Sequence, residues 1–471
     1  MDKDDFRRHG HEFVDWLADY FEVVETLPVM SRAKPGEIRG QIPSAAPECP
    51  ESMDRIFEDF KTVILPGITH WQHPAWHAYF PANNSPESVL AELLTAGLGV
   101  QGMIWQTSPA AAELEDAVLE WLRRLLGLPE GLAGVIQDTA STATLCALLS
   151  ARERATDFEA NQKGLKRPLV VYASEEAHSS LEKGVKIAGF GRENLRLIPS
   201  DAAFAMMPGR LEETILADKR QGLEPCFVAA TLGTTSSGAV DSLAAIGPIA
   251  RRHGLWLHVD AAYAGTAAVL PEKRWILEGA EHIDSFVFNP HKWMLTNFDC
   301  SAYFVKDPGS LVRTFEIHPE YLKTGADPYV KNYRDWGIQL GRRFRALKLW
   351  FVLRSYGAEG LRSFVREHIR LAELFKSWVE ADPRFELMAP VHFGLVCFRL
   401  NDGRDEAGLA SLNKALRDGL NATGKLYLTH TVLHGKLTLR MVIGQRTTAE
   451  RHVRAAWDLI QEISAVLMPS A

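Results

Sequence analysis

The sequence predicts an α/β protein: a mainly parallel sheet covered by helices on both faces, followed by a smaller α/β domain. Three observations lead there. Apolar runs of strand length recur at 133–136, 168–173, 226–230, 255–259, 285–288 and 302–305, with helical patterns between several of them; strand–helix–strand repetition argues for parallel pairing. Two of these runs lead directly into a charged side chain, Asp260 in one case and Lys292, after Asn289-Pro290-His291, in the other. Beyond about residue 340 the register changes to long helical stretches with short strand candidates.

At 471 residues the chain exceeds one ordinary core. It divides into an N-terminal helical and extended segment (1–80), a large domain (81–340) and a small C-terminal α/β domain (341–471). The net charge of −7 is spread along the chain with no basic stripe, which argues against nucleic acid or an anionic membrane surface as partner. Five cysteines are far apart, odd in number and without a CxxC, so reduced thiols are expected rather than disulfides or a metal site. Neither a signal-peptide core nor a stretch of ~20 apolar residues is visible, and a cytoplasmic protein is expected.

In chain order, residues 10–25 place Phe13, Trp16, Leu17, Tyr20, Phe21 and Val24 at helical spacing, a wide aromatic stripe that must lie against something. Such a segment, unable to form a core alone, is expected to pack on another subunit. Residues 28–50 are Pro-rich and aperiodic, and are expected to run extended. Ser108-Pro109 opens a helix, with acidic residues near its start and Gly127 after its last turn. The strand runs follow. Helical stretches at 345–356 and 358–380, strand candidates at 394–400 and 436–443, and a helix at 447–467 complete the chain.

Ligands of parallel sheets sit beyond the carboxyl ends of the strands, where Asp260 and Lys292 fall. A lysine there is ordinarily a solvated strand end. Here Phe286, Phe288, Asn289, His291 and Trp293 crowd it, and partial desolvation gives the neutral amine that imine formation requires. Asp260 reads either as a helix-capping aspartate or as the partner of a pyridine nitrogen. Together the two suit pyridoxal phosphate: the lysine as its Schiff-base amine, the carboxylate keeping the ring nitrogen protonated. The turn 137–144 (QDTASTAT) reads as ordinary capping or as a phosphate site at a helix N-terminus. His178 reads as a ring-stacking residue or a surface-loop histidine, and 231–235 (TLGTT) is another polar strand end.

These segments, with HPAWHAYFPANN (73–84), AHSS (177–180), HVDAAYAG (258–265), NPHKW (289–293) and LGRRFRALKLW (340–350), resemble the pyridoxal-phosphate-dependent aromatic-L-amino-acid decarboxylases, over nearly the whole chain. The resemblance implies the aspartate-aminotransferase fold (fold type I), with a seven-stranded large-domain sheet, and an obligate homodimer with shared active sites. It implies that Lys292 is the Schiff-base lysine, Asp260 the partner of the ring nitrogen, and His178 a residue stacked on the ring. Ala140, Ser141, Asn289 and His291 match phosphate-binding positions, and Thr235 lies beside the ring. Tyr321 matches a loop tyrosine that reaches the partner's site and protonates Cα. No metal is implied.

Trp71, Tyr79, Phe80, Pro81 and Phe298 match positions lining the side-chain pocket, an apolar and aromatic wall. The absence of a basic residue from 80–84 disfavours glutamate. Ala82 stands where animal relatives have threonine, and Gln101 and Met103 where they have isoleucine and phenylalanine. Gly394 matches a position where plant relatives pair glycine with indoles and serine with phenols, and leans the expectation toward tryptophan or 5-hydroxytryptophan. In relatives with phenylalanine in place of the loop tyrosine an aldehyde results, so an aromatic aldehyde synthase is the alternative to the amine-forming enzyme.

Overall fold

A computed structural model describes residues 1–317, 322 and 324–468, so Tyr321 lies outside the described residues. In chain order the strands are β1 (Trp76–His77), β2 (Ala133–Gln137), β3 (Leu169–Ser174), β4 (Leu195–Ile198), β5 (Glu224–Thr231) and β6 (Trp256–Asp260). They continue as β7 (Ser285–Phe288), β8 (Ser301–Val305), β9 (Phe385–Leu387), β10 (Leu395–Leu400), β11 (Tyr427–Leu433) and β12 (Lys436–Val442). Seven form one sheet in the order β2-β8-β7-β6-β5-β3-β4. All neighbours pair parallel except at β8, which runs antiparallel to both β2 and β7.

Alternation along these strands builds a core on each face. Val170, Tyr172, Val228, Ala230, Phe286 and Phe288 point to one side, where the helix Pro109–Leu126 contributes Val118, Leu119 and Leu122. Leu169, Val171, Ala173, Phe227, Ala229 and Val287 point to the other, against Ala143, Cys146 and Ala147 of the helix Ala140–Ala155. Burial on both faces is why these strands read as continuous apolar runs. Each such large side chain contributes about 1.5–3 kcal/mol of apolar transfer.

The second sheet, β1-β11-β12-β10-β9, is capped by the helices Glu406–Ala422 and Glu450–Leu467 over Leu416, Trp457 and Ile460. Its edge strand β1 comes from the N-terminal part of the chain, pairing Trp76 with Tyr427. Chain from both ends of the sequence therefore meets here, four residues before Phe80.

Two expectations change. The first helix starts earlier, at Lys3–Val23, because Asp2 caps it by accepting from the N–H groups of Asp4 and Asp5. Within the single chain its aromatic stripe meets Phe57 and Phe60, Phe13 at 4.5 Å from the first and Trp16 at 5.3 Å from the second, and stays half-buried, which leaves room for the expected second subunit. The 28–50 stretch is interrupted by the helix Glu37–Gln41, which Gly36 opens at φ 87°. Between 345–356 and 358–380 the expected break is present: Gly357, at φ 61° and ψ 175°, interrupts Arg345–Ala381.

Candidate active site

β2, β3, β5, β6 and β7 bring their carboxyl ends to one edge of the large sheet, because β8 reverses direction twice and restores β2 to the common sense. Asp260 ends β6, in register with Thr231 of β5 and Val287 of β7. Its Oδ1 accepts from the Ala262 N–H at 3.0 Å, leaving Oδ2 without a hydrogen-bond partner among the described residues. Lys292 follows β7 on a one-turn helix, Pro290–Trp293, its N–H donating to the Asn289 carbonyl at 2.9 Å. Burial lowers the lysine pKa, the Asp260 charge working the other way. Its Nζ lies 5.4 Å from the centroid of Phe80, which stacks on Tyr263 at 3.9 Å, and Tyr263 in turn on Trp293 at 4.7 Å. This three-ring column is the floor beneath the lysine; the sequence marks Trp293 as a neighbour of Lys292, but not that Tyr263 stacks between it and Phe80.

His178 follows β3 and is solvent-exposed in the single chain. The Ser180 N–H can only donate and approaches Nδ1 at 3.2 Å, so the neutral ring carries its proton on Nε2. Burial of part of the ring lowers its pKa, and the charges of Asp260 and Lys292 both act on it, in opposite senses.

The helix Ala140–Ala155 begins at the same edge. Its cap Thr139 accepts from the Thr142 N–H, leaving the N–H groups of Ala140 and Ser141 without partners among the described residues. Nearby, Ser301 Oγ donates to Asn289 Oδ1 at 2.7 Å, and the Cys300 N–H donates to His291 Nδ1 at 2.9 Å. His291 is thereby fixed with its proton on Nε2, which has no partner among the described residues. Burial and the Lys292 charge push its pKa down to about 3, so the ring is a neutral donor. A helix start with free N–H groups and an imidazole N–H suit a phosphate. A half-satisfied carboxylate and a lysine that loses its proton readily suit a pyridine ring with an aldehyde. The donor set fits pyridoxal phosphate.

The remaining expected residues are more scattered. Trp71 stacks on Tyr79 at 5.9 Å. Tyr79 and Thr235 share a cavity of about 370 Å³ with Arg440. Pro81 is buried, and the Ala82 carbonyl accepts from Gln72 Nε2 at 2.6 Å. Phe298 stands 4.7 Å from the His291 ring with 60% of its surface exposed. Gln101 and Met103 are held by the 334–342 segment: Gln101 Oε1 accepts from the Arg342 N–H at 3.0 Å, and the Met103 carbonyl from the Arg334 N–H at 2.9 Å.

Gly394 does not open onto this wall. A Cβ there would meet the Ile443 carbonyl at 2.3 Å and the Tyr263 hydroxyl at 2.7 Å, behind the Phe80–Tyr263 stack. Close backbone approach explains that glycine. The glycine facing a residue of the expected pocket wall is Gly341, whose Cβ would meet Gln101 Nε2 at 3.2 Å.

Comparison with known proteins agrees with the donor set. The chain matches the pyridoxal-dependent decarboxylase conserved domain over residues 35–401. It is 47% identical to a phenylacetaldehyde synthase of Arabidopsis thaliana, covering 99% of this chain and 97% of that protein. It is 46% identical to tryptophan decarboxylase 2 of Oryza sativa subsp. japonica, covering 98% and 95%. The solved structure of Oryza sativa TDC with PLP and tryptamine superimposes with a TM-score of 0.97 at 38% identity, covering 99% of both chains.

Proposed function

The chain belongs to the pyridoxal-dependent decarboxylase family, and from that premise we propose that it removes the carboxylate of an aromatic L-amino acid as carbon dioxide and releases the arylalkylamine. What carries the reading is the pairing of Lys292 and Asp260 on adjoining carboxyl strand ends, with burial making the lysine a ready amine. Bound pyridoxal phosphate supplies an electron-poor ring that accepts the electrons of the breaking bond.

The chain supplies everything else. Lys292 would hold the cofactor, its burial easing loss of the ammonium proton at Nζ. Asp260 keeps the proton on the ring nitrogen through the oxygen left free. His178 would lie against the ring, its Nε2 proton available to an anionic group. Ala140, Ser141, Asn289 and His291 hold the phosphate, with Thr235 beside the ring. Trp71, Tyr79, Phe80, Pro81, Ala82, Gln101, Met103 and Phe298 are the residues expected to line the substrate side chain, on a wall that a single chain leaves open. Tyr321, by its place in the family pattern, donates the proton to Cα.

The three-part division at 80 and 340 and a homodimer belong to the same reading. In support of the dimer, the helix Pro86–Leu98 exposes Leu90, Leu93, Leu94 and Leu98 at 48–65% along one face. Five free cysteines fit residence in the reducing cytoplasm.

Aldehyde formation is the second reading, favoured by the likeness to the phenylacetaldehyde synthase. Turnover of tryptophan, 5-hydroxytryptophan, phenylalanine, tyrosine and dopa, with carbon dioxide, amine, ammonia and peroxide all quantified, separates the two. Amine equal to carbon dioxide is expected. Ammonia and peroxide in place of amine would transfer the assignment to the aldehyde synthases, and no carbon dioxide from any of the five would end both readings. Tyr321→Phe is expected to lower amine formation by about 100-fold and raise oxygen uptake.

A further inference from the structure

The loop 81–85, between Phe80 and the helix Pro86–Leu98, buries the Asn83 side chain completely. Its Nδ2 donates to the Lys292 carbonyl at 2.9 Å and to the Gly444 carbonyl at 2.6 Å, while Oδ1 accepts from the Arg446 N–H at 2.8 Å. Both amide hydrogens and the oxygen are thus in use. The partners also fix the orientation of the amide, since two carbonyls only accept and a backbone N–H only donates.

Three separate stretches of chain meet at this one amide: the loop that carries Phe80, the turn that carries Lys292, and the segment following β12. Within its own turn, Lys292 is tied only to Asn289, through its N–H. Among the described residues, Asn83 is the residue that reaches the Lys292 backbone from outside that turn. The approach is close enough to require glycine at 444, where a Cβ would meet Pro81 Cγ at 2.9 Å. Phe80, whose ring lies 5.4 Å from the lysine Nζ, is three residues from this junction.

We propose that Asn83 is a positioning residue, setting the backbone of Lys292 in register with the Phe80 floor and so fixing where the amine can reach. This rests on the assignment of Lys292 given above. A displacement of a reacting group by about 1 Å costs on the order of 100-fold in rate. Loss of the amide is therefore expected to appear in kcat and in the electrostatics of the lysine, rather than in substrate binding.

Gln72 provides the control. Its Nε2 donates to the Ala82 carbonyl at 2.6 Å and its Oε1 accepts from the Asn84 N–H at 3.2 Å, so it grips the same loop on either side of Asn83 without touching Lys292. The experiment compares wild-type, Asn83→Ala and Gln72→Ala holoenzymes by kcat, KM, melting temperature and the pH midpoint of the visible absorbance of the lysine-bound cofactor. Asn83→Ala is expected to lower kcat by about 10- to 100-fold with KM changed less than about threefold, and to move the absorbance midpoint. Gln72→Ala is expected to lower the melting temperature and leave the midpoint in place. A wild-type kcat and midpoint in Asn83→Ala, or the same shifts in Gln72→Ala, would overturn the proposal. Asn83→Ser, which keeps one donor, is read against the same outcomes and carries the test if Asn83→Ala does not fold. Borohydride reduction of the wild type followed by peptide mapping isolates the underlying assignment: a label away from Lys292 defeats that assignment, whereas a label on Lys292 with a silent Asn83→Ala defeats only the role of Asn83.

Discussion

On the strand-edge side of the site, Ser301 joins Asn289 to the Asp138 carbonyl, Cys300 fixes His291, and the polar groups concerned are largely buried within one chain. On the facing side, Trp71, Tyr79 and Phe298 are 39%, 49% and 60% exposed, and the leucine face of Pro86–Leu98 is open as well. A single chain completes the first wall and leaves the second unfinished. Cofactor chemistry is accordingly expected to survive changes that abolish substrate turnover, while the reverse is not expected.

The largest effect tests the finished wall. Lys292→Ala should give a folded protein with no visible absorbance after incubation with pyridoxal phosphate and no detectable turnover; a yellow, active variant would remove the premise of the comparison. Next in size, Leu94→Asp places a charge at the centre of the exposed leucine face. Burying it unpaired costs several kcal/mol, so self-association should weaken by about 1000-fold in sedimentation experiments. At dilution, turnover should fall with dissociation while cofactor absorbance per chain falls less. An unchanged assembly, or a monomer with full turnover, would show that the open wall needs no second copy.

How much of this was legible in the sequence follows the same division. The strands that meet at the site, β2, β3, β5, β6 and β7, are buried on both faces and stand out as unbroken apolar runs, so Asp260 and Lys292 could be placed at strand ends without coordinates. β4 lacks that signal because it is an edge strand in which Leu195 and Arg196 are half-buried, Leu197 is exposed and Ile198 is buried. Asn83 carries no sequence signal: a lone asparagine among Pro81, Ala82 and Asn84 reads as loop, and its three partners lie more than 200 residues away. Gly394 and Gly341 show a related limit. A string of letters does not say which missing Cβ faces a pocket and which faces a backbone carbonyl.

Acid should act on both walls, since His73 and His77 lie between Trp71 and Tyr79 of the open one. Burial pushes the ring pKa values of His258, His291 and His368 down to about 4, 3 and 4, and those of His73 and His77 to about 4. Unfolding returns each to about 6.5. Between these limits the unfolded chain holds more protons, so the stability they contribute is complete above about pH 6.5 and is lost as pH falls toward 4. Each histidine costs up to about 1.4 kcal/mol per pH unit in that window. Asp241, pushed up to about 6 by burial, works in the opposite direction and offsets part of this. Urea midpoints should drop between pH 7 and pH 5, with His258→Gln flattening the slope; a flat profile would show that these rings are not the acid-sensitive element.

The smallest effect separates the glycines. Serine at 341 places a hydroxymethyl group against Gln101, whose Oε1 is already committed to the Arg342 N–H at 3.0 Å and so cannot swing away freely. The open wall narrows by two heavy atoms, and a change of even one methylene in such a pocket is worth about tenfold. Gly341→Ser should therefore lower kcat/KM for tryptophan by about tenfold relative to tyrosine, at nearly unchanged stability. Gly394→Ala acts behind the Phe80–Tyr263 stack, forcing its methyl against the Ile443 carbonyl where β10 and β12 pair. That should lower the melting temperature and slow both substrates alike. If Gly394→Ala instead changes the tryptophan-to-tyrosine ratio and Gly341→Ser does not, the boundary between the two walls runs through Tyr263, and the stack beneath Lys292 belongs to substrate selection.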